Sequence, residues 1–114
     1  MALVLVVGTI DALMESRRLL IEAAGHEAIP VTNDAELISA CKKNLVDVAV
    51  FGQMMAPAEK IRGFDLFRQH CPNAKVLSLY SPSVGPVLRS ADDWLAVPAD
   101  VPSELAERIS ELVR

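Results

Sequence analysis

Short, unbroken apolar runs alternate along this chain with longer stretches in which apolar side chains recur every three or four residues. The first run is Leu3–Val7, and the most apolar is Leu45–Phe51, bounded by Lys42, Lys43 and Asn44 before and by Gly52 and Gln53 after. Runs without polar alternation read as strands buried on both faces, the kind found in parallel sheets covered by helices. Leu45–Phe51 is therefore the organising strand. The positions just past such a strand, here Gly52, Gln53, Met54 and Met55, are where ligands bind in open α/β sheets. None of these four carries a charged or nucleophilic group.

Between the runs lie the helices. A helix is expected from Asp11, with Asp11 as its N-cap, Leu13, Leu20, Ile21 and Ala24 on the apolar face, and Gly25 in a left-handed cap. Glu27–Val31 contains Pro30, which cannot donate a ladder hydrogen bond, so this strand belongs at a sheet edge. Asn33 and Glu36 form a capping box for a second helix whose buried stripe is Leu37, Ile38 and Cys41. After the loop Gln53–Ala58, a third helix runs from Glu59 to His70 with Ile61, Phe64 and Phe67 inward, weakened at Gly63. Lys75–Leu79 is a strand. The segment from Tyr80 to Ser90 holds two prolines and a glycine, leaving room for one helical turn at most. Trp94–Val97 is the fifth strand. Asp100 can then cap a last helix, with Pro102 at its first position and Leu105, Ile109 and Leu112 inward. Five strands alternating with helices, with an edge second strand, predict a three-layer α/β/α sandwich over a single domain, residues 1–114, with a parallel sheet in the order 2-1-3-4-5.

Composition narrows the function classes. A net charge of −4 points to neither nucleic acid nor an anionic membrane as a partner. No apolar run reaches the roughly 18 residues of a spanning helix, and the amino terminus has no basic leader, so a cytoplasmic placement is expected. Cys41 and Cys71 read as free thiols. Asp11, Asp47, Asp92 and Asp93 do not converge by spacing. His26 and His70 sit at helix ends, and Ser81 and Ser83 have no neighbouring histidine to activate them. No metal ligand set, cofactor or enzymatic activity is expected.

The chain resembles the receiver domain of bacterial two-component response regulators, a CheY-like, flavodoxin-like fold. The most specific fragment is Ser90-Ala91-Asp92-Asp93-Trp94-Leu95-Ala96-Val97-Pro98, similar to the family's Gly-Ala-Asp-Asp-Tyr-Leu-x-Lys-Pro; Gly25-His26-Glu27 and Gly63-Phe64-Asp65-Leu66-Phe67 also match. The resemblance implies phosphoryl transfer to an aspartate, supported by an acidic Mg²⁺-binding pair, a Thr or Ser, and a Lys. Each of those positions differs here. The phosphoacceptor position is Gly52, the acidic pair falls on Gly8 and Thr9, the hydroxyl position on Tyr80 and the lysine position on Val97, while the family's aromatic switch position is Trp94. The loop between Gly52 and Gly63 is longer than the family pattern, and the region of the family's fourth helix is shorter, so that helix is expected shortened or missing.

These substitutions imply a degenerate receiver domain that contacts a protein partner, a signalling protein or output module, independently of phosphorylation. A homodimer is one arrangement the resemblance allows. The candidate interaction residues are Met54 and Met55, which suit an apolar partner, with Ser81, Ser83 and Trp94; the alternative reading of the methionines is that one of them fills the core beneath the third helix. A second reading, of a different class, is a small-ligand or nucleotide-binding module using the vacated pocket near Gly8, Gly52, Tyr80 and Ser81. A receiver cut from a longer regulator is a further one.

Overall fold

The computed structural model describes residues 1–114. Its strands are β1 (Leu3–Val7), β2 (Glu27–Val31), β3 (Val48–Phe51), β4 (Lys75–Tyr80) and β5 (Asp93–Ala96), all parallel and in the order β2-β1-β3-β4-β5. The helices are α1 (Asp11–Ala23), α2 (Asp34–Lys43), α3 (Pro57–His70) and α4 (Glu104–Leu112). Pro30 lies on the edge strand β2, where its missing N–H costs no ladder bond.

Alternate residues of the central strands face two separate cores. Val4, Val6, Val50 and Leu77 pack with Met14 and Ile21 of α1 and with Leu105 and Ile109 of α4. Leu5, Val7, Phe51 and Val76 pack with Leu37 and Ala40 of α2 and with Phe67 of α3. In the second core the Phe51 ring meets Phe67 edge-on at 6.2 Å and Phe64 at 6.4 Å between centroids, the preferred aromatic geometry.

The organising strand is shorter than its apolar run. Leu45 is 94% exposed, and Leu45–Asp47 forms the approach to the sheet. Asp47 completes that edge instead: its carboxylate accepts from the Leu3 N–H at 2.8 Å, while its own N–H and C=O pair with Leu3 and Lys75. Strand β5 lies one residue earlier than expected, leaving Val97 just beyond it, where its N–H still reaches the Tyr80 carbonyl at 2.9 Å.

Several local expectations need correction. Asp11 is the first helical residue of α1; Ile10, in extended conformation, is the cap whose carbonyl receives Met14 N–H at 3.1 Å. Leu20 and Ala24 are exposed, because the inward stripe of α1 runs through Met14, Arg17 and Ile21. Helix α3 starts at Pro57 and turns Lys60, Gly63 and Phe67 inward, which leaves Ile61 45% exposed. Helix α4 starts only at Glu104, because Val101–Ser103 closes a turn of its own through the Glu104 N–H to Val101 carbonyl bond. Asp100 and Pro102 therefore stand outside it. Gly25 adopts the expected positive φ of 92°. Asn33 caps α2 by accepting from Glu36 N–H at 2.9 Å, and Glu36 reaches back to Thr32.

Between β4 and β5 there is no helix, as the prolines predict. Leu88 and Ala91 of this segment are buried under the second core, and the Trp94 indole N–H donates to the Leu88 carbonyl at 2.6 Å.

The inward faces of α3 give a direct test. Phe67→Ala is expected to lower stability by about 3–5 kcal/mol, as for other buried aromatics, whereas Ile61→Ala stays within about 0.5 kcal/mol. Urea unfolding of the two variants would distinguish this packing from one with Ile61 inward.

Candidate functional site

The carboxyl ends of β1, β3 and β4 bring together the positions that the receiver resemblance singles out, and the chemistry assembled there is cationic. Gly52 ends β3 buried, with its N–H on the Val7 carbonyl at 3.0 Å. A Cβ built on Gly52 would lie 3.0 Å from Arg17 Nη1 and 3.3 Å from the Val7 oxygen. The Arg17 guanidinium thus occupies the space into which a side chain at this position would grow. Arg17 comes from the inward stripe of α1, is 9% exposed, and donates through Nη2 to Gln53 Oε1.

From the opposite layer, Lys60 of α3 reaches over the same edge and donates through Nζ to the Leu79 carbonyl at 2.6 Å. It is 1% exposed. Burial, with a smaller contribution from the Arg17 charge, lowers its pKa from 10.5 to about 8. Burial likewise lowers the pKa of Arg17. The ion pairs of the chain belong to Arg18, Arg62, Arg68 and Arg108; neither Arg17 nor Lys60 has a carboxylate partner.

The remaining predicted positions do not form one chamber. Gly8 is buried against Met14, whose Cγ would lie 3.3 Å from a Cβ there, while Thr9 is exposed. Gly8 and Thr9 line a crevice of about 550 Å³ with Met55, Thr32 and Asn33. Gly8, Thr9 and Gly52 also share a cavity of about 10 Å³ with Arg17, Met14 and Met54, room for about one water molecule. Tyr80 and Ser81 line neither space. The Ser81 hydroxyl lies 2.9 Å from that of Ser83, and the Ser81 carbonyl closes the following turn by accepting from Val84 and Gly85 N–H. Val97 is half-buried against the α1/α4 core. Met55 packs on the α2/α3 core, so one methionine is a core residue, whereas Met54 is 58% exposed.

No group of three or more His, Cys, Asp or Glu side chains is placed to hold a metal ion. Asp92 holds Val76 N–H and Arg68, and Asp93 pairs with Arg108. His26 links Ala2 N–H to Ser110. Cys41 and Cys71 are free, both with pKa raised by burial, that of Cys41 to about 12. No helix is long and apolar enough to cross a membrane.

Arg17 and Lys60 are absent from any reading based on charge alone, because long cationic side chains ordinarily reach solvent. The available signal is positional. Met14, Arg17 and Ile21 stand at i, i+3 and i+7, as do Lys60, Gly63 and Phe67, so each cation falls on an apolar stripe.

No protein-family model matches the sequence, and no curated protein matches it by sequence. Solved structures match its fold. A response regulator receiver domain from Methanospirillum hungatei is 19% identical with a TM-score of 0.82, over 99% of this chain and 94% of that one. A response regulator described in Chloroflexus aurantiacus is 23% identical with a TM-score of 0.80, over 98% and 97%. A structure of the histidine kinase ThkA in complex with the response regulator protein TrrA matches with a TM-score of 0.80 and 18% identity, over all of both chains. The chain therefore has the CheY-like receiver fold, less one helix.

The buried amine of Lys60 makes stability pH-dependent. Between about pH 8 and 10.5 the unfolded chain holds a proton that the folded chain has released, so the Lys60 contribution to stability rises with pH and is least favourable below 8. Cys41 and Cys71 act in the opposite sense above pH 9, since burial keeps their protons on in the folded state. The difference in urea stability between the parent and Lys60→Met cancels the cysteines. It is expected to climb in favour of the parent through this window, by at most ~1.4 kcal/mol per pH unit; a flat difference would contradict the shifted amine.

Proposed function

We propose that this chain is a receiver-like module of signal transduction that works through protein–protein contact without phosphorylation. The Arg17 guanidinium in the space beside Gly52 carries this reading. A receiver needs carboxylates there, to bind Mg²⁺ and to accept a phosphoryl group. At these positions the chain has Gly8, Thr9 and Gly52 with two buried cations alongside, a field that repels a divalent cation. The partner is a protein of the signalling apparatus, a reading supported by the shared fold with a response regulator structure in which a histidine kinase is the other component.

Among the candidate interaction residues, Met54 best suits such contact. It is exposed beside Ile10, itself 38% exposed, and both line the small cavity over Arg17. Met55, Ser81, Ser83 and Trp94 are engaged in internal packing or hydrogen bonds, and act by shaping the surface. The alternative, a ligand held jointly by Gly8, Gly52, Tyr80 and Ser81, has less support: the space that Gly8 and Gly52 share is only about 10 Å³, and Tyr80 and Ser81 lie outside it.

Amide NMR titration with Mg²⁺ and then beryllofluoride is expected to leave Gly8, Gly52, Tyr80 and Val97 unshifted, and the fluorescence of Trp94, the single tryptophan, unchanged. Gly52→Asp alone should also remain unlabelled by acetyl phosphate, since the added carboxylate would face Arg17 instead of a metal. Saturable shifts at Gly52 in the parent would defeat the proposal.

A further inference from the structure

A further cavity of the molecule, of about 310 Å³, runs between α1, the end of β5 and the segment leading into α4. Leu13, Leu20, Val97 and Leu105 are among its apolar lining, and Arg17 and Gln53 contribute polar groups. No acidic side chain lines it. Its size lies at the lower end of small-molecule pockets, which hold roughly 300–1,000 Å³ and combine apolar walls with a few convergent polar groups.

Arg17 gives this groove a chemical preference. Its guanidinium carries five N–H donors, yet its one protein hydrogen bond runs from Nη2 to Gln53, and it has no carboxylate partner although nine-tenths buried. A buried cation left without a counter-charge is costly, and an anion arriving beside it recovers much of that cost. Lys60 adds a second positive charge from the other layer, but its amine is committed to the Leu79 carbonyl. One cation is therefore free to be paired, which fits a single negative charge, and a carboxylate matches the flat fork of a guanidinium. The apolar walls require a hydrocarbon body behind that head.

We infer that the groove between α1 and α4 is a binding site for a small aliphatic carboxylate, its head on Arg17 and its chain against Leu13, Leu20, Val97 and Leu105. This site is distinct from the Gly8 crevice and does not depend on the absence of phosphorylation.

Octanoate, octanol and acetate would be titrated separately into the protein below their aggregation limits, by calorimetry and by methyl and Arg side-chain NMR. Octanoate is expected to bind saturably at one site, about tenfold or more tighter than octanol, as a charge-assisted pair implies, and tighter than acetate. Its shifts should fall on the Leu13, Leu20 and Leu105 methyls and on Arg17 Nε. Arg17→Met should weaken octanoate by about tenfold or more while leaving octanol unchanged. That variant replaces a buried charge by an apolar side chain of similar length, an exchange that cores commonly accept. Leu20→Glu, at an exposed position, keeps the fold intact in the event that Arg17→Met unfolds, and should also weaken octanoate through like charge. Absence of saturable octanoate binding, equal affinity for octanol, or octanoate binding unaffected by both variants would each overturn the inference.

Discussion

Strand β3 is buried on every residue, and that constraint governs the rest of the molecule. Val48, Ala49, Val50 and Phe51 alternate between the two cores, so the strand lies at the centre of the sheet with a helical layer pressed on each face. Its carboxyl end then delivers Gly52 to the middle of an edge that both layers overhang. Side chains long enough to cross that edge meet there: Arg17 from the α1 layer and Lys60 from the α3 layer. A Cβ at this position would crowd the guanidinium and push it from its present place by a few tenths of an ångström. The glycine and the arginine thus depend on each other, and Gln53 fixes the guanidinium by accepting from Nη2.

Much of the architecture is legible in the sequence. The proline in β2 places that strand at an edge, the glycine after α1 requires a positive φ, and the prolines after β4 exclude a helix. Each of these is a local steric rule with few exceptions. Boundaries were less legible, because apolar character does not say where pairing begins. Leu45 continues the apolar run of β3 yet is almost fully exposed, since it precedes the first ladder partner. The same limit applies to α1 and α3. A helical wheel that sends every charge outward places Leu20 and Ile61 inside, whereas the packing rotates each helix to bring a cation in. The helix phase was decided by contact with neighbouring strands, at Met14 and Ile21 in one case and at Gly63 and Phe67 in the other. A sequence shows the spacing but not which of two nearly equivalent faces turns inward.

The segment between β4 and β5 illustrates a different kind of economy. It supplies no helix, yet Leu88 and Ala91 still close the second core, and the Trp94 indole is bonded to the Leu88 carbonyl. Trp94 is therefore a fastening for an irregular cover. Rotating it outward would break a hydrogen bond and uncover apolar surface together, so its position resists the exchange between buried and exposed states that a switch requires.

The cationic edge is physically coherent only as a whole. An aspartate at Gly52 facing Arg17 would pair with it, and a carboxylate so neutralised is a poor metal ligand and a poor nucleophile. An acidic residue at Gly8 would meet Met14 and find no second carboxylate to share a Mg²⁺ ion. Conversely, carboxylates without the two cations would crowd like charges into a buried space. Each intermediate composition carries an electrostatic or steric cost that the present one avoids, apart from the desolvation of Arg17 and Lys60. That remaining cost is expressed in their lowered pKa values. It also explains why the edge favours incoming negative charge: the backbone carbonyl of Leu79 and the side-chain amide of Gln53 solvate the two cations, but neither group neutralises them.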